Sequence, residues 1–245
     1  MEAEGPNRAD NPRLRIAVES LAIVLSILLA FAIDAGWEER QDRREEAEIL
    51  RALSVEFEGY RDRFSQRAGF YEEVADEIVW LLDEATFVPS EIEQLDEAFL
   101  ALVGAPTFDI GSGVHHELVA SGRVSLISDE ALRRFVSNWE GLLAETTDNE
   151  HVVRQFATSA TVPFLASRHA PVGRISRVAK RDDWQLSVMS EGETLTAYRE
   201  LVGDPEFRAL ASWRYEWALG SAGDFARAAA AADSALVLVR ASLGG

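Results

Sequence analysis

Cysteine is absent from the 245 residues, which removes structural disulfides, thiolate nucleophiles and cysteine-ligated zinc together. Basic residues are scarce. Lys and Arg number 24 against 42 Asp and Glu, a formal net charge of −18. A phosphate backbone needs clustered cations, so no nucleic-acid partner is expected. Histidine occurs only as His115, His116, His151 and His169, which leaves few ligands for a metal. Also missing are GxxxxGK[ST], GxSxG, HExxH and a Rossmann glycine pattern, the local signatures of nucleotide binding and hydrolysis. Acidic pairs such as Glu72-Glu73 and Asp182-Asp183 carry no weight in so acidic a chain. No catalytic residue, cofactor or metal is therefore assigned. Nor is there a strand alternation of useful length or an internal repeat.

What the chain does contain is one long oily run. Ile16 to Ile33 reads IAVESLAIVLSILLAFAI, with Glu19 as its single charge. Taken from Leu14 to Trp37, a helix would rise about 35 Å, enough to cross a hydrocarbon core of about 30 Å. The segment is expected to be a transmembrane helix, with the lipid bilayer as partner. Two rival readings exist: a buried core helix, and a cleavable signal peptide cut after the small-x-small sequence Ala30-Phe31-Ala32. The domain reading is a short polar tail (1–13), a transmembrane helix (14–37) and a soluble helical domain (38–245). Arginines flank both ends of the run, so loop charge decides little. Its signal-anchor form places the N-terminus inside and the large domain on the extracytoplasmic (periplasmic) side of the cell membrane. Glu19, Ala22, Ser26, Ala30 and Asp34 recur every three or four residues. That spacing gathers small and polar groups on one face, where a homo-oligomer could associate.

Beyond Trp37 the pattern is helical throughout. Leu50, Leu53, Phe57, Tyr60, Phe64, Tyr71, Val74, Ile78 and Leu81 alternate spacings of three and four, with Arg67 as the one interruption. Ala68, Ala75 and Leu82 widen the stripe, and its seam is aromatic. Both features favour packing within the chain over a dimeric coiled coil. A capping box at Ser90 and Glu93 predicts a helix running to Gly104. Residues 105–113 read as a loop, HHELVAS as a short helix closed by Gly122, and Ser128-Asp129-Glu130 as the next start. A further helix is expected over 149–167. A cationic connection follows (169–184), with Arg174, Arg177, Lys180 and Arg181. Helical patterns resume at 192–202 and, behind Asp204-Pro205, at 206–242, where Gly220 and Gly223 are expected to divide the run. The fold class is all-α: an N-terminal transmembrane helix continuing into a long amphipathic helix packed in a helical bundle.

One cluster invites a site. His115, His116 and Glu117 follow a glycine-rich loop at a helix start. Adjacent helical residues point about 100° apart, so the two imidazoles cannot easily share a metal without a third ligand folded over them. The plainer reading is one histidine packed and one solvated.

The stretch from Glu19 through AFAIDAGWEERQDRREEAEILRAL resembles the start of an uncharacterised family of bacterial single-pass membrane proteins, known only as a domain of unknown function. A second similar segment holds Leu118, Gly122, Leu126-Ile127, Asp129, Leu132-Arg133 and Trp139. Where that family has an aromatic three residues before the leucine, this sequence has His115. The resemblance covers about the first 145 residues. It implies an anchor and a helical domain, and brings no activity. The expected role is a membrane-anchored helical interaction protein (scaffold, sensor or accessory subunit) with an unknown protein partner. One alternative is a small-ligand-binding helical domain with a cavity near the glycine-rich loop; another is an enzyme of unrecognised type.

Overall fold

Proline is absent between Pro12 and Pro89, and proline is what most reliably breaks a helix from within. In the computed structural model a single helix, α1 (Pro12–Asp83), occupies nearly the whole interval. The structure describes residues 12–83, 88–104, 107–108, 111, 113–168 and 190–244, with backbone alone for 12–20, Ala22, Pro89 and Glu191. After α1 come a 3-10 turn (Pro89–Glu91), α2 (Ile92–Val103), α3 (Val114–Ser121) and a 3-10 turn (Arg123–Leu126). Then α4 (Glu130–Phe156) passes through a π-helical turn (Ala157–Thr161) into α5 (Val162–Ser167), followed by α6 (Glu191–Gly203) and α7 (Pro205–Gly244). Every described element is helical, as an all-α chain requires.

Helix ends follow local chemistry. The Asp129 carboxylate accepts from Leu132 N at 2.8 Å and caps α4. Ser190 and Glu193 form a reciprocal capping box on α6. Gly122 takes φ +74°, the left-handed conformation that closes α3 as its sequence predicts. Arg208 donates to Leu82 O at 3.1 Å and Val202 O at 3.5 Å, bringing a cation to the last turns of α1 and α6.

Three expectations are corrected. The capping box at Ser90 does not form: the chain first makes a 3-10 turn, α2 begins at Ile92, and Glu91 takes Val88 N instead. No break occurs near Asn149; the polar run there holds neither Gly nor Pro, and Thr146 and Thr147 bond back to Leu142 and Leu143 O. Gly220 and Gly223 do not divide α7. The buried Ser221 and Ala222 lie between them, and tertiary packing overrides the glycines' low propensity.

The chain forms two compact units, Met1–Leu50 and Arg51–Gly245, with α1 contributing to each. In the first unit every described side chain from Leu21 to Ile33 is exposed, the larger apolar ones by 51–68%. Among the described residues no helix is long and apolar enough to cross a membrane. The 14–37 stretch is described there without the side chains of 14–20 and Ala22. Of the small-residue face, Ser26, Ala30 and Asp34 are exposed, and the side chains of Glu19 and Ala22 lie outside the described residues.

In the second unit the aromatic seam of α1 packs within the chain. Leu53, Phe57, Phe64, Tyr71, Ile78 and Leu81 are fully buried. Phe57 meets Trp139 of α4 edge-on at 5.0 Å, and Phe64 meets Phe225 of α7 at 6.1 Å. Such ring pairs contribute about 0.5–1.5 kcal/mol each beyond burial. Asn149 bonds Asp224, while Phe164 approaches Phe207 at 6.3 Å. Those two contacts run α4–α5 and α7 antiparallel. Ala211, Ala218, Ala228, Ala232 and Ala235 line the buried face of α7, and their small side chains allow close helix approach.

Candidate functional site

The short helix α3 has Gly113 as its N-cap, a residue with no side chain to bond the first amides. A carboxylate from α1 does that work. Glu56 accepts His115 N on Oε2 and pairs with His115 Nδ1 through Oε1, both at 3.0 Å. Because a carboxylate only accepts, Nδ1 is the donor in that pair. His115 is buried, with its ring 5.9 Å from that of Tyr60. The Tyr60 hydroxyl lies 3.5 Å from Glu56 Oε1. Burial first, and then the Glu56 charge, push that phenol up to about 12.

His116, one residue on, is exposed and pairs through Nδ1 with Glu140 of α4. Its hydrogen bond, the largest cause, holds Glu140 below the usual carboxylate range. Both histidines line one open pocket of about 390 Å³, with Phe108, Gly111, Glu140, Leu143, Ala144 and Thr147. Glu117 does not line that pocket; it is exposed and borders a second groove, which it shares with His116, Gly113, Val114, Ala120 and Ser121. His151 is exposed on α4, and His169 and the cationic stretch 169–184 lie outside the described residues. No group of three or more His, Asp or Glu among the described residues could hold a metal ion.

Gly113 permits this arrangement. A Cβ there would fall 1.5 Å from Glu56 Oε1, so Gly113→Ala must expel the carboxylate and lose both bonds to His115. The expected cost is about 1–3 kcal/mol, since the α3 amide and the imidazole would be left buried without their acceptor. Chemical denaturation of the variant measures it.

A second polar cluster was not singled out by the sequence patterns. Glu150, only 3% exposed, accepts the Tyr71 hydroxyl at 2.8 Å and Phe108 N at 2.7 Å. Arg67 Nε lies 3.0 Å from it, an ion pair out of hydrogen-bond alignment. The Arg67 guanidinium also sits over the rings of Phe70, Tyr71 and Phe108. Arg214 of α7 is wholly buried beside Tyr71, with Nη2 donating to Gly104 O at 3.0 Å. Burial raises the Tyr71 phenol and lowers the Arg214 guanidinium, so each charged form is disfavoured.

The signal that could have found this cluster is a charge at a stripe position. Continuing the α4 spacing from Trp139 and Leu143 through Thr146 puts Glu150 on the buried face, and Arg67 interrupts the α1 seam in the same way. Phe108 belongs to both clusters, since its amide bonds Glu150 and its ring lines the histidine pocket. No protein-family model, curated protein or solved structure matches the chain.

Proposed function

We propose that this is a single-pass, membrane-anchored helical interaction protein, serving as a scaffold, sensor or accessory subunit. The observation that supports the reading is the apolar sleeve of the first unit, where Leu21, Ile23, Val24, Leu25, Ile27, Leu28, Leu29, Phe31 and Ile33 are all exposed. One apolar face would call for a partner helix. Apolar groups all around the axis call for hydrocarbon on every side. Trp37 stands exposed at the exit, suited to a headgroup layer, and charges of both signs follow at once. The resemblance to single-pass bacterial proteins agrees with an anchor at 14–37. We place the helical domain outside the cytoplasm, as a signal-anchor segment would, with self-association through the Ser26–Ala30–Asp34 face. The experiment is fractionation of the full chain. It should sediment with membranes after alkaline carbonate washing and dissolve only in detergent. Recovery in the supernatant, or a mature N-terminus at Ile33, would refute the anchor.

A second reading concerns the helical unit alone. The pocket between α3 and α4 holds an imidazole oriented by a carboxylate, with apolar walls and a second histidine at its side, a fitting receptor for a small polar ligand. Gly113→Ala separates the two readings, because displacing Glu56 should abolish ligand binding while leaving membrane sedimentation unchanged.

A further inference from the structure

We propose that Arg214 anchors an internal site for a small monovalent inorganic anion, of the size and charge of chloride, enclosed in the helical unit. Arg214 is 0% exposed. Of its five N–H donors, the structure assigns one bond, to Gly104 O, and both Nε and Nη1 are buried with no hydrogen-bond partner. Among the described residues no carboxylate is paired with it. The nearby acid, Glu150, is already engaged by Tyr71, Phe108 N and Arg67. The guanidinium carbons of Arg67 and Arg214 lie 5.8 and 6.0 Å from the Tyr71 ring centre, and the carboxylate that Tyr71 binds is paired with Arg67, which leaves Arg214 as a buried cation in excess.

An uncompensated ion in a low-dielectric interior is among the costliest features a fold can hold. The C-terminal end of α2 and the Tyr71 ring face, 6.0 Å from the guanidinium carbon, offset part of that cost. They make no bond to Nε or Nη1. Two more orphaned donors occur on the same pair of helical segments: the hydroxyls of Thr161, in the π-helical turn, and of Ser221, on α7. The Asn149–Asp224 and Phe164–Phe207 contacts bracket the stretch that holds all three residues. Buried Nε and Nη1 donors without acceptors, on a guanidinium with no paired carboxylate among the described residues, are the chemistry of an anion site. A weakly hydrated monovalent ion suits a closed site with few donors, whereas a multiply charged oxyanion would need a larger set.

Thermal melting of the full chain in detergent tests this, with sodium chloride replacing sodium gluconate at constant ionic strength. The midpoint should rise by about 3 °C and saturate, as ligand linkage to the native state requires. Arg214→Met, similar in length, should melt at one temperature in both salts. An unchanged wild-type midpoint, or an equal rise in Arg214→Met, overturns the proposal. Anomalous diffraction from crystals of the intact chain grown in sodium bromide gives a test independent of any variant. A peak within hydrogen-bond distance of Arg214 Nε or Nη1 is expected, and a featureless map there overturns the assignment.

Discussion

Glu150→Ala is expected to destabilise the helical unit by about 3–5 kcal/mol, the range for removing one partner of a buried charged pair. Most of that loss comes from what is left behind rather than from the bonds themselves. Arg67 would lose its ion-pair partner, and the Tyr71 hydroxyl and the Phe108 amide would lose their shared acceptor. Glu150→Gln should cost less, because an amide oxygen still accepts from Tyr71 while the charge is lost. The double variant Arg67→Met with Glu150→Leu should recover much of the deficit, since apolar groups of similar volume often replace a buried ion pair at little cost. Urea denaturation of the three variants decides the matter; a loss below about 1 kcal/mol in Glu150→Ala would show that the cluster is wet and screened.

The membrane anchor proposed for 14–37 predicts that Leu25→Arg with Leu28→Arg abolishes stable membrane association of the full chain. Each arginine at the centre of a membrane helix disfavours insertion by about 2.5–3.5 kcal/mol. Two of them, on positions exposed by 57% and 58%, reverse a preference that rests on about a dozen apolar side chains. Leu53→Arg would instead strike a fully buried residue of the helical unit and unfold it. Fractionation combined with circular dichroism distinguishes the outcomes: the double variant should leave the membrane with its helical content retained. If it still sediments with washed membranes, lipid contact at 21–33 is not what holds the chain there.

Much of the helical layout could be read from spacing. The seam from Leu53 to Leu81 and the left-handed Gly122 follow from periodicity and backbone preference alone. Failures occurred where tertiary contacts outweigh local signals. Gly220 and Gly223 suggest a break, yet Ser221, Ala222 and Phe225 bury α7 as one rod. Ser90 and Glu93 match a capping pattern, but Glu91 competes for Val88 N and shifts the start. His115 and His116 were visible as a pair; Glu56, 59 residues away in sequence, was not, because no local rule connects a carboxylate in mid-helix to the first turn of another. Arg67 read as a flaw in an apolar stripe, and in the folded chain it faces Glu150.

The π-helical turn at Ala157–Thr161 also sets the phase of everything after it. A regular helix advances 3.6 residues per turn, so a stripe kept straight against a neighbour slowly drifts around the cylinder. Val153, Ala157 and Thr161 are buried at two successive spacings of four, with Phe164 and Leu165 following. The wide turn absorbs the surplus residue. It works as a vernier, letting Phe164 reach Phe207 in step with Asn149 and Asp224 upstream, where an unbroken α-helix would have turned its aromatic ring toward water.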